Sequence, residues 1–129
     1  MNTHRMSVSS NTPWEPVAGY SRALRIGPWV AVSGTTAASP DGPAECDDLG
    51  EQTRVALARV LEALAAAGAS IEDVVRTRMY VTDIGRWEAV ARVHGEVFGD
   101  VRPATSMVEV SALIDPTLLV VVEADAYVG

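Results

Sequence analysis

Cysteine, aromatic residues and basic charge are all scarce in this sequence of 129 residues, and each shortage narrows what the protein does. The single Cys46 has no partner with which to form an internal disulfide. Ten basic residues stand against 17 acidic ones, and the net charge of −7 opposes the attraction to phosphate backbones on which nucleic-acid binding relies. We therefore expect no nucleic-acid partner.

Long hydrophobic runs are also missing. The sequence has no stretch of about 18 apolar residues and no charged segment leading into a shorter one, so we expect a soluble, cytoplasmic protein without a membrane partner. Hydrophobic residues make up 48% of the chain, which suits one compact domain with its own core. Residues 1–13 are polar and lack periodicity, so we expect a flexible N-terminal segment before a single domain at 14–129.

Motifs for metal or cofactor chemistry are sparse. Two histidines and one cysteine lie far apart without ligand spacing, so no metal site is expected. Gly27 and Gly34 lack the strand-to-helix context of a dinucleotide-binding loop. Composition leaves a Ser-His-Asp triad open, but no serine lies in a nucleophile-elbow sequence, so catalysis through a hydrolytic nucleophile is not favoured. The sequence therefore indicates no cofactor.

Hydrophobic periodicity predicts seven elements in the order ββαβαββ. Two helices cover only one face of such a sheet, so the predicted fold class is α+β with both helices on one face. Turn and capping residues mark where these elements begin and end. The first two strands are joined by a hairpin turn at Gly27-Pro28, and the last two by a short turn at Asp115-Pro116. The first helix is capped by Asp47 or Asp48 and ended by Gly68, and the second extends from Asp83 to Gly99.

One predicted strand, "VVRTRMYVTD", carries two arginines on the same side. Side chains alternate along a strand, so one face is predicted to point into the core and holds Val75, Thr77, Met79 and Val81. The second face holds Arg76, Arg78, Tyr80 and Thr82. Arg78 has two interpretations: it binds a carboxylate ligand, or it neutralises Glu109 or Glu123 on a neighbouring strand, which the residue pattern favours. Arg76, near the start of the strand, is expected to be solvated.

Two further stretches hold candidate site residues. His94 shares a helix stripe with Trp87, Val90 and Ala91, where a structural hydrogen bond is favoured over acid–base catalysis. In "RPATSMVEV", Thr105, Met107 and Glu109 are predicted to share the face of Arg78 and to shape a small-ligand site. The second sheet face is mixed in polarity, which favours burial against another copy of the chain, with pockets at the seams between copies.

Three stretches of the chain are informative together: "GYSRALRIGPWVAVSG", "VVRTRMYVTDI" and "RPATSMVEV" with the ending "LLVVVEADAYV". They resemble the RidA/YjgF family, the reactive intermediate deaminases once labelled L-PSP endoribonucleases, and the likeness extends from about Val17 to Val128. The resemblance implies a chorismate-mutase-like α+β subunit, a homotrimer and three clefts between subunits. In well-known members these clefts hydrolyse enamines or imines such as 2-aminoacrylate to 2-keto acids and ammonia, without metal or organic cofactor.

Residue by residue, the resemblance also implies that this chain departs from the deaminases. Tyr20 and the pair Ser33-Gly34 match the family's cleft residues. The deaminases place a carboxylate-binding arginine directly after Pro-Ala, where this chain has Thr105. Three other deaminase positions, a cysteine, an asparagine and a glutamate, correspond here to Met107, Ala91 and Val121. Ordinary imino-acid deamination is therefore doubtful, unless Arg78 supplies a shifted cationic group with Thr105 and Ser106 as hydrogen-bond donors.

The leading hypothesis is a RidA-family homotrimer whose intersubunit cleft takes a small carbonyl, imine or enamine metabolite and hydrolyses or tautomerises it. The predicted catalytic residues are Tyr20, Glu123 and His94, and the predicted substrate-binding residues are Ser33, Gly34, Arg78, Thr105, Ser106, Met107 and Trp87. The alternative hypothesis is a non-catalytic binding or regulatory trimer that keeps the cleft after losing the chemistry. A ribonuclease activity, which the old family label suggests, fits poorly with the net charge of −7.

Overall fold

A computed structural model describes residues 5–10 and 12–129 and shows one mixed six-stranded sheet with three α-helices. In chain order the elements are β1 (Arg5–Val8), α1 (Trp14–Ala18), β2 (Ala23–Ile26), β3 (Trp29–Thr35), α2 (Leu49–Ala66), β4 (Val74–Val81), α3 (Trp87–Phe98), β5 (Ala104–Glu109) and β6 (Val120–Tyr127). The strand order is β1-β2-β3-β6-β4-β5, and only β4 and β5 run parallel. The long helices α2 and α3 pack against each other and the sheet, which confirms the predicted α+β class.

Helix α2 forms where the sequence predicts it. Asp48, one of the two predicted caps, accepts a hydrogen bond from the Glu51 backbone N–H at 2.9 Å. Gly68 follows the helix with a φ of +80°, a conformation that costs glycine little. The Arg25 guanidinium donates to the Ala67 carbonyl at 2.9 Å, so a cation meets the negative end of the helix dipole.

Alternation along β4 and β6 builds the core under these helices. In β6, Val120, Val122 and Ala124 are fully buried, and the residues between them are only partly covered. In β4 the predicted core face is confirmed from Thr77 onward but not at its start. Val74 is buried and Val75 is 42% exposed, because the register against β6 shifts between Val74 and Arg76.

The N-terminal segment contains a strand that the sequence analysis did not predict. Residues Arg5–Val8 pair with β2 as an antiparallel edge strand, so the sheet begins before Trp14, where the sequence analysis placed the start of the domain. Residues 1–4 and Asn11 of the predicted flexible segment lie outside the described residues. The polar composition concealed the strand because an edge strand with little burial carries almost no hydrophobic pattern.

The connection between β5 and β6 was also predicted wrongly. The sequence analysis joined them by a short turn, whereas β4 lies between them and ten residues, 110–119, make the connection. Helix α3 begins at Trp87 rather than directly after Asp83, because the Asp83 carboxylate caps a 3₁₀ turn at Ile84–Arg86 through the Gly85 N–H at 3.0 Å. Among the described residues, every helix is too short or too polar to cross a bilayer.

Candidate functional site

Three side chains form a hydrogen-bonded chain at the β5 edge of the sheet, which we call the threonine–histidine cluster. Thr77 Oγ1 lies 2.6 Å from Thr105 Oγ1, to which it donates, and 2.8 Å from His94 Nε2. Since Thr77 has a single hydroxyl hydrogen and gives it to Thr105, its oxygen accepts from Nε2, which is then the protonated ring nitrogen. The cluster therefore links a half-buried imidazole to an exposed hydroxyl.

The surroundings of His94 favour its neutral form. The ring lies on the inner side of α3, 4.7 Å between centroids from the ring of Phe98. Burial lowers the pKa of His94 below its ordinary value of 6.5, because desolvation penalises the imidazolium. The predicted structural hydrogen bond is thus present, made to Thr77, and it connects His94 to the solvent-exposed Thr105.

Thr105, Met107 and Glu109 do not share the face of Arg78, contrary to the sequence-based expectation. In the parallel register Thr77 pairs with Thr105 and Arg78 with Ser106, so Thr105 lies on the helix side of the sheet. Glu109 accepts from the Ile84 backbone N–H at 3.0 Å on that side. A one-residue difference in register exchanges the two faces of a strand, and sequence alone does not fix the register of a parallel edge strand.

Arg78 lies on the outer sheet face within a set of polar partners. Its Nη1 is 3.1 Å from Asp125 Oδ2 and 3.6 Å from Glu123 Oε1. Tyr80 donates to the same Glu123 carboxylate at 2.8 Å, and this hydrogen bond raises the pKa of Tyr80. The predicted pairing of Arg78 with Glu123 is confirmed, Asp125 is a further partner, and Glu109 is not one. Ser106 is the substrate-binding candidate that shares this face.

The remaining candidates form a second group, the tyrosine–glycine wall, made of Tyr20, Ser33 and Gly34. Ser33 and Gly34 stand in a bulge of β3, because Val32 pairs with Ala124 and Thr35 with Val122, which leaves two residues opposite one. The Ser33 hydroxyl donates to the Ser21 carbonyl at 2.6 Å. A Cβ added to Gly34 would lie 2.9 Å from Val121 Cγ1, so only glycine fits without a shift.

Arg22 supports this wall, and the sequence analysis did not identify it. Its Nη1 donates to the Gly34 carbonyl at 2.8 Å and to Thr35 Oγ1 at 3.0 Å, and its guanidinium lies 5.8 Å from the Tyr20 ring centroid. Thr77 was assigned only to the core, so its link to His94 was missed as well. Both contacts join residues distant in sequence, and no local pattern predicts them.

A single copy of the chain does not bring the two groups together. The wall lies on β3 and the loop before β2, while Thr105 lies on β5, with β6 and β4 in between. Strands are spaced by about 4.8 Å, so about 14 Å separates β3 from β5 across the sheet.

Trp87, a predicted substrate-binding residue, is 51% exposed at the start of α3. Within residues 5–10 and 12–129, no group of three or more His, Cys, Asp or Glu side chains is placed to hold a metal ion.

Comparisons with known proteins agree with this architecture. The family model described as Endoribonuclease L-PSP matches residues 10–128. A RutC family protein of Pyrococcus abyssi is 34% identical over 88% of this chain and 89% of its own length. An uncharacterised protein of Streptomyces coelicolor is 43% identical over 95% of this chain and 91% of its own.

Solved structures show the same fold. A member of the YjgF/YER057c/UK114 family from Mycobacterium tuberculosis superposes with a TM-score of 0.90 at 58% identity, covering 97% of this chain and all of its own. A Rid family protein of Yersinia pestis gives a TM-score of 0.84 at 30% identity, with the same coverage of both chains. Family model, relatives and structures converge, and the chain belongs to the RidA/YjgF family.

Proposed function

We propose that the chain forms a homotrimer whose clefts join the threonine–histidine cluster of one copy to the tyrosine–glycine wall of the next. Both groups contain cleft candidates and lie about 14 Å apart within one copy, so a second copy is needed to unite them. The outer sheet face also exposes large apolar side chains, including Trp29 and Tyr127 at 55% and 45%. Patches of this kind favour an interface between copies.

The reaction proposed for this cleft is hydrolysis of a small imine or enamine without metal or cofactor. The hydrogen-bonded chain from His94 through Thr77 to Thr105 carries the proposal. Because Thr105 accepts from Thr77, its own hydrogen remains for donation to an imine nitrogen or carbonyl oxygen. Hydroxyls in such chains polarise one another, so Thr105 becomes a better donor than an isolated threonine.

The bond changes follow ordinary imine hydrolysis. Water adds to the carbon of the C=N bond, the nitrogen takes a proton, and the resulting carbinolamine expels ammonia as its hydroxyl becomes a carbonyl. Thr105 donates a hydrogen bond to the nitrogen as electron density collects there, and the proton that the attacking water loses passes to that nitrogen. The proposed catalytic groups are Tyr20 of the adjoining copy, which orients the water, and His94, which acts through Thr77 to hold the Thr105 hydroxyl toward the nitrogen. Glu123, the third proposed catalytic group, is held by Tyr80 and Arg78 on the outer face.

Substrate choice follows from the charges near Thr105. The guanidinium that would clamp a carboxylate directly after Pro-Ala is replaced by a hydroxyl, and Arg78 contacts two carboxylates on the opposite face. An arginine–carboxylate pair contributes on the order of 2–5 kcal/mol, so its loss weakens the binding of an imino acid by about 30-fold to several thousandfold. We therefore propose that the preferred substrate lacks a carboxylate beside its imine carbon.

A paired assay tests this function. Wild type, Thr77→Val and Thr105→Arg with Val121→Glu are compared on freshly generated iminopyruvate and on the imine of a simple ketone, with ammonia release as the readout. We expect wild type to favour the uncharged imine, Thr77→Val to lose that activity, and the double variant to gain on iminopyruvate. Equal rates for wild type and Thr77→Val on both imines would contradict the proposal.

The second candidate function is a non-catalytic binding or regulatory trimer. It is favoured by one observation: Thr105, Met107 and Val121 leave the positions of the deaminase chemistry without charge. This candidate would be supported over the enzyme by two results together. No variant would release ammonia in either assay, and calorimetry would show binding of pyruvate or a small ketone that is lost in Thr105→Val.

A further inference from the structure

A buried carboxylate is connected to the tyrosine–glycine wall through one threonine. Glu15, in the short helix α1, is only 7% exposed. Its carboxylate accepts from the Ser9 hydroxyl at 2.9 Å, from the Ser10 hydroxyl and backbone N–H at 2.5 and 3.0 Å, and from the Thr12 hydroxyl at 3.3 Å. A buried carboxylate is costly unless hydrogen bonds compensate it, and here all four donors lie in the segment before α1. This one group therefore holds that segment in place.

Glu15 is ionised across the physiological pH range. Desolvation by burial favours the neutral form, but the hydrogen bonds from Ser10, Ser9 and Thr12 outweigh it and lower the pKa of Glu15 to about 2. An ionised carboxylate has no hydrogen to donate, so it acts only as an acceptor. Each hydroxyl bonded to Glu15 must therefore give its own hydrogen to that bond.

This requirement fixes the direction of a hydrogen bond at Tyr20. Thr12 Oγ1 lies 3.3 Å from Tyr20 Oη and also 3.3 Å from Glu15 Oε2. Because Thr12 has a single hydroxyl hydrogen and gives it to Glu15, its oxygen accepts from the Tyr20 hydroxyl. The phenol hydrogen is thereby committed to Thr12, and the lone pairs of Tyr20 Oη remain for other partners.

The backbone of Glu15 holds the main chain of the same tyrosine. Its carbonyl accepts from the N–H groups of Gly19 and Tyr20 at 2.8 and 3.1 Å, where α1 ends. The Arg22 guanidinium lies 5.8 Å from the Tyr20 ring centroid, and its Nε donates at 3.3 Å to the Ser10 hydroxyl, which itself donates to Glu15. The main chain, the ring and the hydroxyl of Tyr20 are thus each connected to Glu15.

Ser33, a second polar group of the wall, has the same polarity as Tyr20. Its hydroxyl hydrogen is given to the Ser21 carbonyl at 2.6 Å, so its oxygen also keeps only acceptor capacity. Thr105, by contrast, keeps its hydrogen for donation because it accepts from Thr77. The wall therefore offers acceptors, and the threonine–histidine cluster offers a donor.

We propose that Glu15 and Thr12 are positioning residues that hold the Tyr20 hydroxyl as a hydrogen-bond acceptor for the attacking water. Because Tyr20 belongs to the proposed cleft, this role rests on the proposed function. A water that donates one hydrogen to Tyr20 Oη keeps its lone pairs for the imine carbon, while Thr105 of the adjoining copy holds the imine nitrogen. The two bond directions together determine which side of the cleft takes the water and which takes the imine nitrogen.

Neutron diffraction from crystals grown in deuterated solvent tests the hydrogen-bond directions without any reaction. We expect the hydroxyl deuterium of Tyr20 on the line to Thr12 Oγ1, and that of Thr12 on the line to Glu15 Oε2. In Thr12→Val the Tyr20 deuterium should leave this line. A wild-type Tyr20 deuterium that points elsewhere, or a Thr12 deuterium that points at Tyr20, would overturn the proposal whatever the imine assays give.

Steady-state rates test the role of Thr12 in the reaction. Thr12→Val removes the link between Glu15 and Tyr20, and we expect kcat for the uncharged imine to fall about tenfold with KM little changed. Thr12→Ser keeps the hydroxyl and should restore the rate. A wild type that releases no ammonia would overturn the proposed function and the role of Tyr20 with it. An active wild type that Thr12→Val leaves unchanged would overturn this inference alone.

Substitutions of Glu15 separate the acceptor from the charge. In Glu15→Gln the Ser10 N–H still needs an oxygen at the Oε2 position, so the amide oxygen should take that place and kcat should stay within about threefold. Glu15→Leu removes the acceptor and should lower kcat as Thr12→Val does, with thermal unfolding as the check on its fold. Glu45→Gln, which removes a carboxylate paired with Arg59, is the control and should leave kcat unchanged. A folded Glu15→Leu with the wild-type kcat would overturn the proposal.

Discussion

Thr77 connects the core to the proposed cleft, and removing its hydroxyl is the smallest change that tests the threonine–histidine cluster. Thr77→Val keeps the volume of this fully buried residue but removes both hydrogen bonds. We expect a loss of about 1–3 kcal/mol in the free energy of unfolding, since His94 Nε2 is left unpaired. Urea unfolding measures it, and Thr82→Val on the same chain segment is the control, with an expected change within about 0.5 kcal/mol.

His94 gives the stability of the protein a pH dependence whose sign is fixed by its environment. Burial lowers its folded-state pKa below 6.5, so the unfolded chain binds the proton more readily than the folded one. The resulting contribution to stability is present above pH 6.5 and is lost as the pH falls through the folded pKa. Melting temperatures between pH 7.5 and 5 should therefore fall more steeply in wild type than in His94→Gln. Parallel slopes in the two proteins would contradict this account.

At single positions, the sequence predicted the chemistry of a residue better than it predicted which other residues contact it. The alternation of β4 placed Thr77 and Arg78 on opposite faces, as observed. Thr105 was assigned to the wrong face because the assignment required the register of a parallel pair. That register depends on how α3 returns the chain to the sheet, which no local pattern encodes.

Among the elements, the bulge of β3 is the feature that shapes the tyrosine–glycine wall. Gly34→Ala places a Cβ 2.9 Å from Val121 Cγ1, and a β-branched valine moves little at χ1. We expect a destabilisation of about 1–3 kcal/mol from overpacking. Adding Val121→Ala removes the opposing methyl, so the double variant should be more stable than the sum of the two single changes requires. Strict additivity in chemical unfolding would show that the contact is not tight.

Helix α2 shows what hydrophobic periodicity predicts about a helix and what it does not. Its caps and its apolar stripe were predicted, yet the complete burial of Gln52, in the first turn of the helix, was not. The Gln52 amide donates to the Cys46 and Thr117 carbonyls and accepts from the Leu119 N–H, each at 2.9 Å. These bonds join α2 to the 110–119 connection. A glutamine in a sequence is typical of an exposed position, and only the tertiary partners make its burial favourable.

On the scale of the whole molecule, the fold separates two groups that the proposed reaction needs together. The sheet order places β3 and β5 on either side of β6 and β4, and no rearrangement within one copy closes that gap. The sequence predicted an association of copies from the mixed face of β4 and β6. Which side chains meet across the interface depends on the rotation between copies, which is absent from any single-chain pattern.

Mixing two inactive variants tests this division directly. Thr77→Val disables the threonine–histidine cluster and Tyr20→Phe disables the opposing wall, each without a change in charge. If every cleft takes one group from each of two copies, random trimers made from equal amounts of the two variants contain about a quarter of clefts with both groups intact. Co-refolded mixtures should then recover about a quarter of the wild-type rate of imine hydrolysis, and unmixed samples none. Sedimentation establishes that the mixed sample is trimeric, and a trimer that recovers nothing would place both groups in the same copy's cleft or exclude one of them from catalysis.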